Sequence, residues 1–294
     1  MVRRAAVLVS LMAVAAAPMA AELFTLDRDP LSSTYTGPTG PLVLSGDILA
    51  GDYDRLLTRI AENPQQFLAT NRIIVSADEG DVTEAIRIGE LLRAMLTQVD
   101  VGPLTGPCSG PCFLIYAAAA RRGADGAGLL GLYAPPAAEP EERQRVIDFL
   151  TANQVPSDLL ERLLEHTRKD PYWLSEPEEQ VLGPRSAAFE QKLREGCGWT
   201  ADLERSVFAG DRPMQDLRNV WTCAEALVRP AARQALCWAL AERDEAKKKA
   251  ASAPADQAVS AADAPPRRRG AAPDSTHPKQ PKAAKKSTCN DPRP

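Results

Sequence analysis

The sequence predicts an α/β domain that follows an N-terminal export signal and precedes a small helical extension and a basic tail. Two observations carry this prediction. Between residues 41 and 185, short apolar segments of β-prone composition alternate with amphipathic segments of helical period. Such an alternation is typical of a sheet whose faces are covered by helices. Further on, the composition changes abruptly, because residues 246–294 hold 13 Ala and eight Pro and almost no large aliphatic residue.

Residues 1–21 have the pattern of a secretory signal peptide. Arg3 and Arg4 supply positive charge, and the apolar run over residues 5–17 is too short for an ordinary membrane anchor. Small residues follow at Ala20, but the cleavage site is not clean, which leaves a short uncleaved anchor as the alternative. We therefore expect an exported protein, either periplasmic or secreted.

The elements of the domain follow in order along the chain. Residues 22–40 are rich in Thr, Ser, Pro and Gly and predict an irregular lead-in. Apolar β-prone segments predict strands over residues 41–48, 72–76 and 128–133. Apolar residues at helical spacing predict helices over residues 52–62, 82–96, 112–121, 140–153 and 157–167. The domain is expected to cover residues 41–185.

The C-terminal part divides into an extension and a tail. Residues 186–245 have mostly helical spacing and carry three cysteines, which predicts a small helical extension. Residues 246–294 cannot bury a core and predict a disordered tail. The tail has 11 basic and four acidic residues, so it carries +7 while the rest of the chain carries −11. An acidic body argues against a specific nucleic-acid-binding domain. The tail could bind an anionic envelope surface, or it could simply solubilise the protein.

Six cysteines behind an export signal favour disulfides. The sequence leaves their pairing open, and the candidates are Cys108, Cys112, Cys197, Cys223 and Cys237. A local bond between Cys108 and Cys112 would brace a turn that enters a helix. The alternatives are pairing with distant cysteines or two buried thiols. The chain has two His and no CxxC pair, so we predict no metal site and no cofactor.

Four segments, taken in order, resemble motifs of one family. Residues 76–82 (SADEGDV) are similar to an N-S-P-G-G-x-V turn, residues 108–112 (CSGPC) to a C-x-S-x-C run, and residues 131–135 (GLYAP) to a G-x-H-x-P strand end. Residues 170–179 are a weaker match to a segment that carries an acid. The chain therefore resembles the ClpP/crotonase superfamily, and most closely its exported ClpP-like proteins. The resemblance covers about residues 41–185 and implies a ClpP/crotonase-like β-α superhelical domain.

The resemblance also implies the positions of a serine-hydrolase site, and the residues found there do not suit hydrolysis. The nucleophile, base and acid positions are Gly110, Tyr133 and Asp170, and the oxyanion-hole positions are Glu79, Gly80 and Pro111. Glycine cannot attack a substrate, and a phenol with an ordinary pKa of about 10 is a poor base at neutral pH. Proline has no N–H to donate. The resemblance therefore implies a ClpP-like fold without ClpP-like hydrolysis.

Such a pseudo-serine-hydrolase would act as a binding or assembly module for an unknown protein or peptide, and the resemblance implies a homo-oligomer by analogy. Two alternatives stay open. Ser109 could act as a nucleophile in a shifted register, with the Gly110 N–H as oxyanion donor and His166 as base, which would make the protein a weak serine hydrolase or peptidase. The unchanged cysteine spacing argues against this shift. Alternatively, the basic tail could make the protein an envelope-surface adaptor.

Overall fold

The structure of the chain, a computed structural model, describes residues 21–25, 40–102, 105–136 and 139–252. Its strands are β1 (Glu22–Thr25), β2 (Leu42–Ser45), β3 (Arg72–Ser76), β4 (Gln98–Val101), β5 (Cys108–Ser109), β6 (Arg121–Ala124), β7 (Leu130–Leu132) and β8 (Tyr172–Trp173). Its helices are α1 (Asp52–Glu62), α2 (Pro64–Thr70), α3 (Val82–Ala94), α4 (Pro111–Ala118), α5 (Pro140–Ala152), α6 (Ser157–Glu165), α7 (Glu176–Leu182), α8 (Ala187–Cys197), α9 (Ala201–Phe208) and α10 (Met214–Ser252). The predicted α/β class is confirmed.

The larger sheet has the strand order β1-β2-β3-β4-β6. Strands β2, β3, β4 and β6 run parallel, and β1 pairs antiparallel with β2 at the edge. The register places Leu42 beside Ile73, and Ile73 beside Val99. Val43, Ile73 and Ile74 are fully buried. Successive buried residues show that β2 and β3 are covered on both faces, as is usual for a parallel sheet.

Helix α4 lies in the middle of the fold, and every one of its residues is buried. Its sequence, PCFLIYAA, is apolar on all sides, which a helix tolerates only when it is surrounded by protein. Helix α3 packs directly on it. Gly89 permits this close approach, since a Cβ at Gly89 would lie 3.1 Å from the Ala118 Cβ. The apolar stripe of α3 thus covers α4.

The smaller sheet brings distant parts of the chain to one end of the fold. Strand β5 pairs parallel with β7, and β8 pairs antiparallel with β7. A bridge between Ala77 and Cys108 ties β5 to the segment that follows β3. The turns after β3, β5 and β7 therefore meet in one place.

The region predicted as a small helical extension is helical, and its residues contribute to two apolar clusters. Its first part forms a second apolar cluster that includes Phe189, Leu193 and Trp199, and a disulfide joins Cys197 to Cys223. The second half of α10 belongs to the main core instead, through Ala232, Ala235, Leu236 and Ala239.

The structure corrects the boundaries of the lead-in and of the tail. Residues 22–25 form β1, a strand of four residues that is too short to show a period in the sequence. Ala21, the last residue of the expected export signal, is buried and donates its N–H to Asp47 O. At the other end, α10 continues to Ser252. Lysine and alanine are strong helix formers, and the next proline is Pro254, so residues 246–252 extend the helix.

The other terminal predictions lie outside the described residues. These are the export signal over residues 1–20, the rest of the lead-in over residues 26–39, and the tail from residue 253, including its proposed contact with an anionic surface. Within the described ranges, no helix combines the length and the apolar character needed to cross a membrane.

Candidate functional site

A cavity of about 1090 Å³ lies beside the smaller sheet and the first turn of α4. Residues from all four motif segments line it, although these segments lie far apart in the sequence. The structure brings together the following predicted positions: Glu79, Gly80, Ser109, Gly110, Pro111 and Tyr133. Helix α5 and the loop between α6 and β8 supply the remaining walls. The turns selected from the sequence therefore form one cleft.

Gly110 stands at a sharp turn between β5 and α4. Its φ of +51° and ψ of −113° are values that residues with a side chain rarely adopt. A strand, a sharp turn and a helix are the arrangement that exposes the serine of a nucleophile elbow. The disulfide between Cys108 and Cys112 closes this turn, which decides between the alternatives that the sequence left open. The turn has this strand–turn–helix form, but Gly110, which stands in it, has no side chain.

The ring of Tyr133 fills the space in front of Gly110. A Cβ built on Gly110 would overlap the Cζ, Oη and Cε1 atoms of Tyr133. The Tyr133 hydroxyl donates a hydrogen bond of 2.8 Å to the Asp78 carbonyl oxygen, which holds the ring in place. The Tyr133 side chain therefore occupies the space that a side chain at position 110 would need.

Tyr133 is not suited to act as a base. Its burial raises the pKa of the phenol above the ordinary value, and the negative charges of Asp78 and Asp47 raise that pKa further. The phenol is therefore protonated at neutral pH, and its proton is already donated to Asp78 O. A protonated group cannot take a proton from a nucleophile.

The backbone donors of this turn are also engaged or missing. Pro111 has no N–H. The Gly110 N–H, which the shifted register would need, donates to Gly131 O at 3.2 Å. Gly80, with φ of +145°, packs against Ile48, and a Cβ there would overlap Ile48 O. Neither Gly110 nor Pro111 can therefore stabilise a developing oxyanion.

Ser109, the alternative nucleophile, is buried with 2% of its surface exposed. Its Oγ lies 3.3 Å from Asp78 O and 3.4 Å from Asp78 Oδ1. His166 lines the same cavity, but its Nδ1 lies 3.0 Å from the carbonyl oxygen of Asp170. Asp170 itself is exposed, bridges to Thr167, and does not line the cavity. In the described part of the chain, the Ser109 hydroxyl has Asp78 and not His166 as its partner.

Charged side chains frame the rim of the cavity. Glu79, on the turn after β3, forms an ion pair with Arg168 of the loop between α6 and β8. Arg143 of α5 donates from Nη2 to Leu164 O at 2.7 Å. These contacts connect elements that are far apart in the sequence, and so they fix the walls of the cleft relative to one another.

Asp78 provides a pH-dependent test of these contacts. The residue is exposed at the rim, but its carboxyl is partly buried, and this burial raises the pKa of the carboxyl. A hydrogen bond from Ser109 lowers that pKa, and the negative charge of Asp47 raises it. The net direction is upward. A raised folded-state pKa means that the group's contribution to stability falls as the pH rises through its unfolded and folded pKa values. We expect Asp78→Asn to raise the melting temperature slightly at pH 7, and this gain to shrink towards about pH 3, as thermal unfolding followed by circular dichroism would show.

The control is Asp125→Asn, the same substitution at an exposed aspartate outside the cavity. A melting temperature lowered by Asp78→Asn at pH 7, or raised equally at both pH values, would contradict this interpretation of the Asp78 environment.

Several lining residues carry no sequence motif and were missed. They include the helical apolar residues Val146 and Leu164. Helical apolar residues look the same in a sequence whether they line a cleft or a core. Gly131 could have indicated another part of the cleft, because a glycine inside a strand often marks a place where another group approaches the backbone closely. A Cβ there would lie 2.7 Å from the Ser109 Cβ and 2.9 Å from Trp173 Cζ3.

Among the residues that the structure describes, no group of three or more His, Cys, Asp or Glu side chains is placed to hold a metal ion. No protein-family model matches the chain, and no curated protein matches it. Among solved structures, the chain is similar to a mutant of ClpP1 from Listeria monocytogenes, with 16% sequence identity and a TM-score of 0.32. The match covers 49% of this chain and 86% of that one.

Proposed function

We propose that this chain is an exported ClpP-like protein that no longer hydrolyses a substrate and whose cleft binds an extended peptide segment of a partner protein. One observation carries the proposal: the Tyr133 ring occupies the space that a nucleophilic side chain at position 110 would need. A site that is sterically closed at the nucleophile and still open as a cavity of about 1090 Å³ is suited to binding.

The arrangement of the motif segments supports a ClpP-like fold. The turns at Gly80, Gly110 and Tyr133 come from three separate segments, and they converge in the cleft in the way the resemblance implies. The sharp strand-to-helix turn at Gly110 has the form of a nucleophile elbow. These features concern backbone geometry, which a family can retain after its catalytic side chains are replaced.

The contacts of Ser109 argue against the alternative hydrolase. Its hydroxyl is buried against Asp78, and the Gly110 N–H beside it is engaged with Gly131 O. Hydrolysis in the shifted register would need a base next to that hydroxyl and a free N–H donor, as acyl transfer by serine enzymes does.

The lining of the cleft suggests a peptide. Pro135, Pro136 and Trp173 offer flat apolar surface, while Arg143 and Lys169 add polar groups. An extended peptide presents apolar side chains between polar backbone groups, and it fits a cleft with this mixture of apolar and charged lining residues. The two disulfides support an exported protein, because stable disulfides persist in oxidising compartments.

Trp173, which is 40% exposed in the cleft, allows a test of peptide binding. We expect the full chain to bind members of a synthetic library of extended apolar peptides and to release them intact, as mass spectrometry would show. Trp173→Ala should weaken the tightest of these complexes by about tenfold or more in a fluorescence-anisotropy titration, since exposed tryptophans often dominate binding energy.

The matched control is Trp221→Ala, because Trp221 is similarly exposed, at 54%, but lies on α10 away from the cleft. We expect this variant to bind like the wild type. If both variants bind the library peptides equally weakly, or if both bind them as tightly as the wild type does, the peptides do not bind in the cleft. Cleaved peptides would contradict the loss of hydrolysis.

A further inference from the structure

We propose that Arg143 binds a carboxylate group of the peptide segment that the cleft takes up, an inference that rests on the proposed peptide-binding function and deepens it. Arg143 lies on α5 and lines the cavity. Val146, three residues further along, lines it as well, so this face of α5 is turned towards the cleft. A guanidinium is planar and carries five N–H donors, which match the two oxygens of a carboxylate. The cleft wall therefore contains a group suited to bind a carboxylate.

The end of a neighbouring helix holds the Arg143 guanidinium in place. Arg143 Nη2 donates a hydrogen bond of 2.7 Å to Leu164 O, close to the C-terminal end of α6. The last four carbonyl groups of a helix lack partners within the helix, and this bond satisfies one of them. The Arg143 side chain is also half-buried. A guanidinium that is already fixed at one edge loses little conformational freedom when its remaining donors bind a ligand.

Among the residues that the structure describes, no carboxylate forms an ion pair with Arg143. The cavity lining contains four carboxyl groups, and each of them has another partner. The pairs are Asp78 with Ser109, Glu79 with Arg168, and Glu139 with Glu142. A half-buried cation has lost part of its hydration, and a charge-assisted hydrogen bond to a carboxylate compensates for that loss. The positive charge of Arg143 is therefore left for a ligand to neutralise.

Lys169 adds a second positive charge to the cleft. It lies on the loop that follows α6, the helix whose end holds Arg143, and it lines the same cavity. Lys169 is exposed and forms no ion pair within the described ranges. Glu142, by contrast, lies close enough to Asp81, the N-cap residue of α3, for the two negative charges to interact. The acidic pair thus borders α3, while the unpaired cations border α6, where we place the bound carboxylate.

The test compares peptides that carry a carboxylate with otherwise identical peptides that carry a carboxamide. The probes are rhodamine-labelled nonapeptides of Ala, Leu and Ser with both ends blocked, in which one Glu, one Gln or one Lys is placed at each position in turn. A further set lacks these three residues and ends either in a free carboxylate or in an amide. The set in which the carboxylate form binds more tightly shows whether a side chain or a chain terminus supplies the carboxylate.

We expect the best carboxylate peptide to bind the full chain about tenfold more tightly than its carboxamide form in a fluorescence-anisotropy titration, because hydrogen bonds between charged groups are strong. In Arg143→Gln this preference should fall to about twofold or less, while the carboxamide form binds as it does to the wild type. Arg143→Lys keeps the charge without the planar fork and should retain part of the preference. If Arg143 served only to hold α6, both peptide forms would be weakened equally, and the inference would be wrong.

Arg145→Gln is the matched control, because Arg145 lies on the same helix, is exposed and does not line the cavity. This variant removes the same charge and should keep the full preference for the carboxylate. Equal binding of the carboxylate and carboxamide forms to the wild type would overturn the inference, as would tighter binding of the Lys peptides. A chain that binds no peptide, or whose binding Trp173→Ala leaves unchanged, would contradict the proposed function itself and the inference with it.

Discussion

Gly110→Ala is expected to lower the free energy of unfolding by about 3 kcal/mol, because it adds backbone strain and a steric overlap at the same position. Gly110 has φ of +51° and ψ of −113°, which L residues rarely adopt. The new methyl group would also overlap the Tyr133 ring, whose hydroxyl is held by Asp78 O. Chemical denaturation followed by circular dichroism would measure the loss.

A double-mutant cycle separates the two causes. Tyr133→Ala removes the ring, so the overlap with the methyl group introduced at position 110 disappears and only the backbone strain remains. We expect the double variant to be more stable than the sum of the single effects predicts, by about 1–2 kcal/mol of coupling energy.

Gly51→Ala is the matched control for the backbone contribution. Gly51 has φ of +94°, and a Cβ there would meet no atom within 4 Å. Gly51→Ala combined with Tyr133→Ala should therefore show additive effects. If the effects of Gly110→Ala and Tyr133→Ala were additive as well, the ring would not fill the space in front of Gly110, and the steric argument behind the proposed function would fail.

The helices and strands predicted from the sequence are those in which the spacing of apolar residues matches the faces that are buried. Helix α1 and strand β3 have the predicted bounds of residues 52–62 and 72–76. Their apolar periods reflect burial directly: Leu56, Leu57 and Ile60 face the core, and β3 is covered on both faces.

Strands β4 and β6 were missed because tertiary contacts make charged residues acceptable inside them. Asp100 of β4 is 1% exposed and forms an ion pair with Arg72 of the neighbouring strand. Arg122 of β6 is buried, and its Nη2 donates to Arg185 O at 3.1 Å. Such partners lie far away in the sequence, and without them these segments have the composition of polar loops.

The candidate site, too, could be predicted from the sequence only in part. The motif segments could be selected from the sequence, and the structure places three of them around one cleft together with part of the fourth. The interlock of Gly110 with Tyr133 could not be predicted, because it depends on where a side chain 23 positions further along the chain lies in space. Likewise, nothing local indicates that Asp170 lies outside the cleft lining and is exposed.

Labelling by a fluorophosphonate probe, read by intact mass on the oxidised full chain, tests the central claim most directly. Such probes need an activated nucleophile with a base and oxyanion donors. Gly110 has no side chain, the Tyr133 phenol is held protonated, and Ser109 is buried against Asp78. We therefore expect no adduct, with a known serine hydrolase as the positive control and Ser109→Ala indistinguishable from the wild type.

The opposite result would be a stoichiometric adduct on the wild type that disappears in Ser109→Ala. It would show that Ser109 is an activated nucleophile and that the protein is a hydrolase with a displaced catalytic serine. If the Tyr133 ring closes the space in front of Gly110, neither the wild type nor Ser109→Ala should carry an adduct.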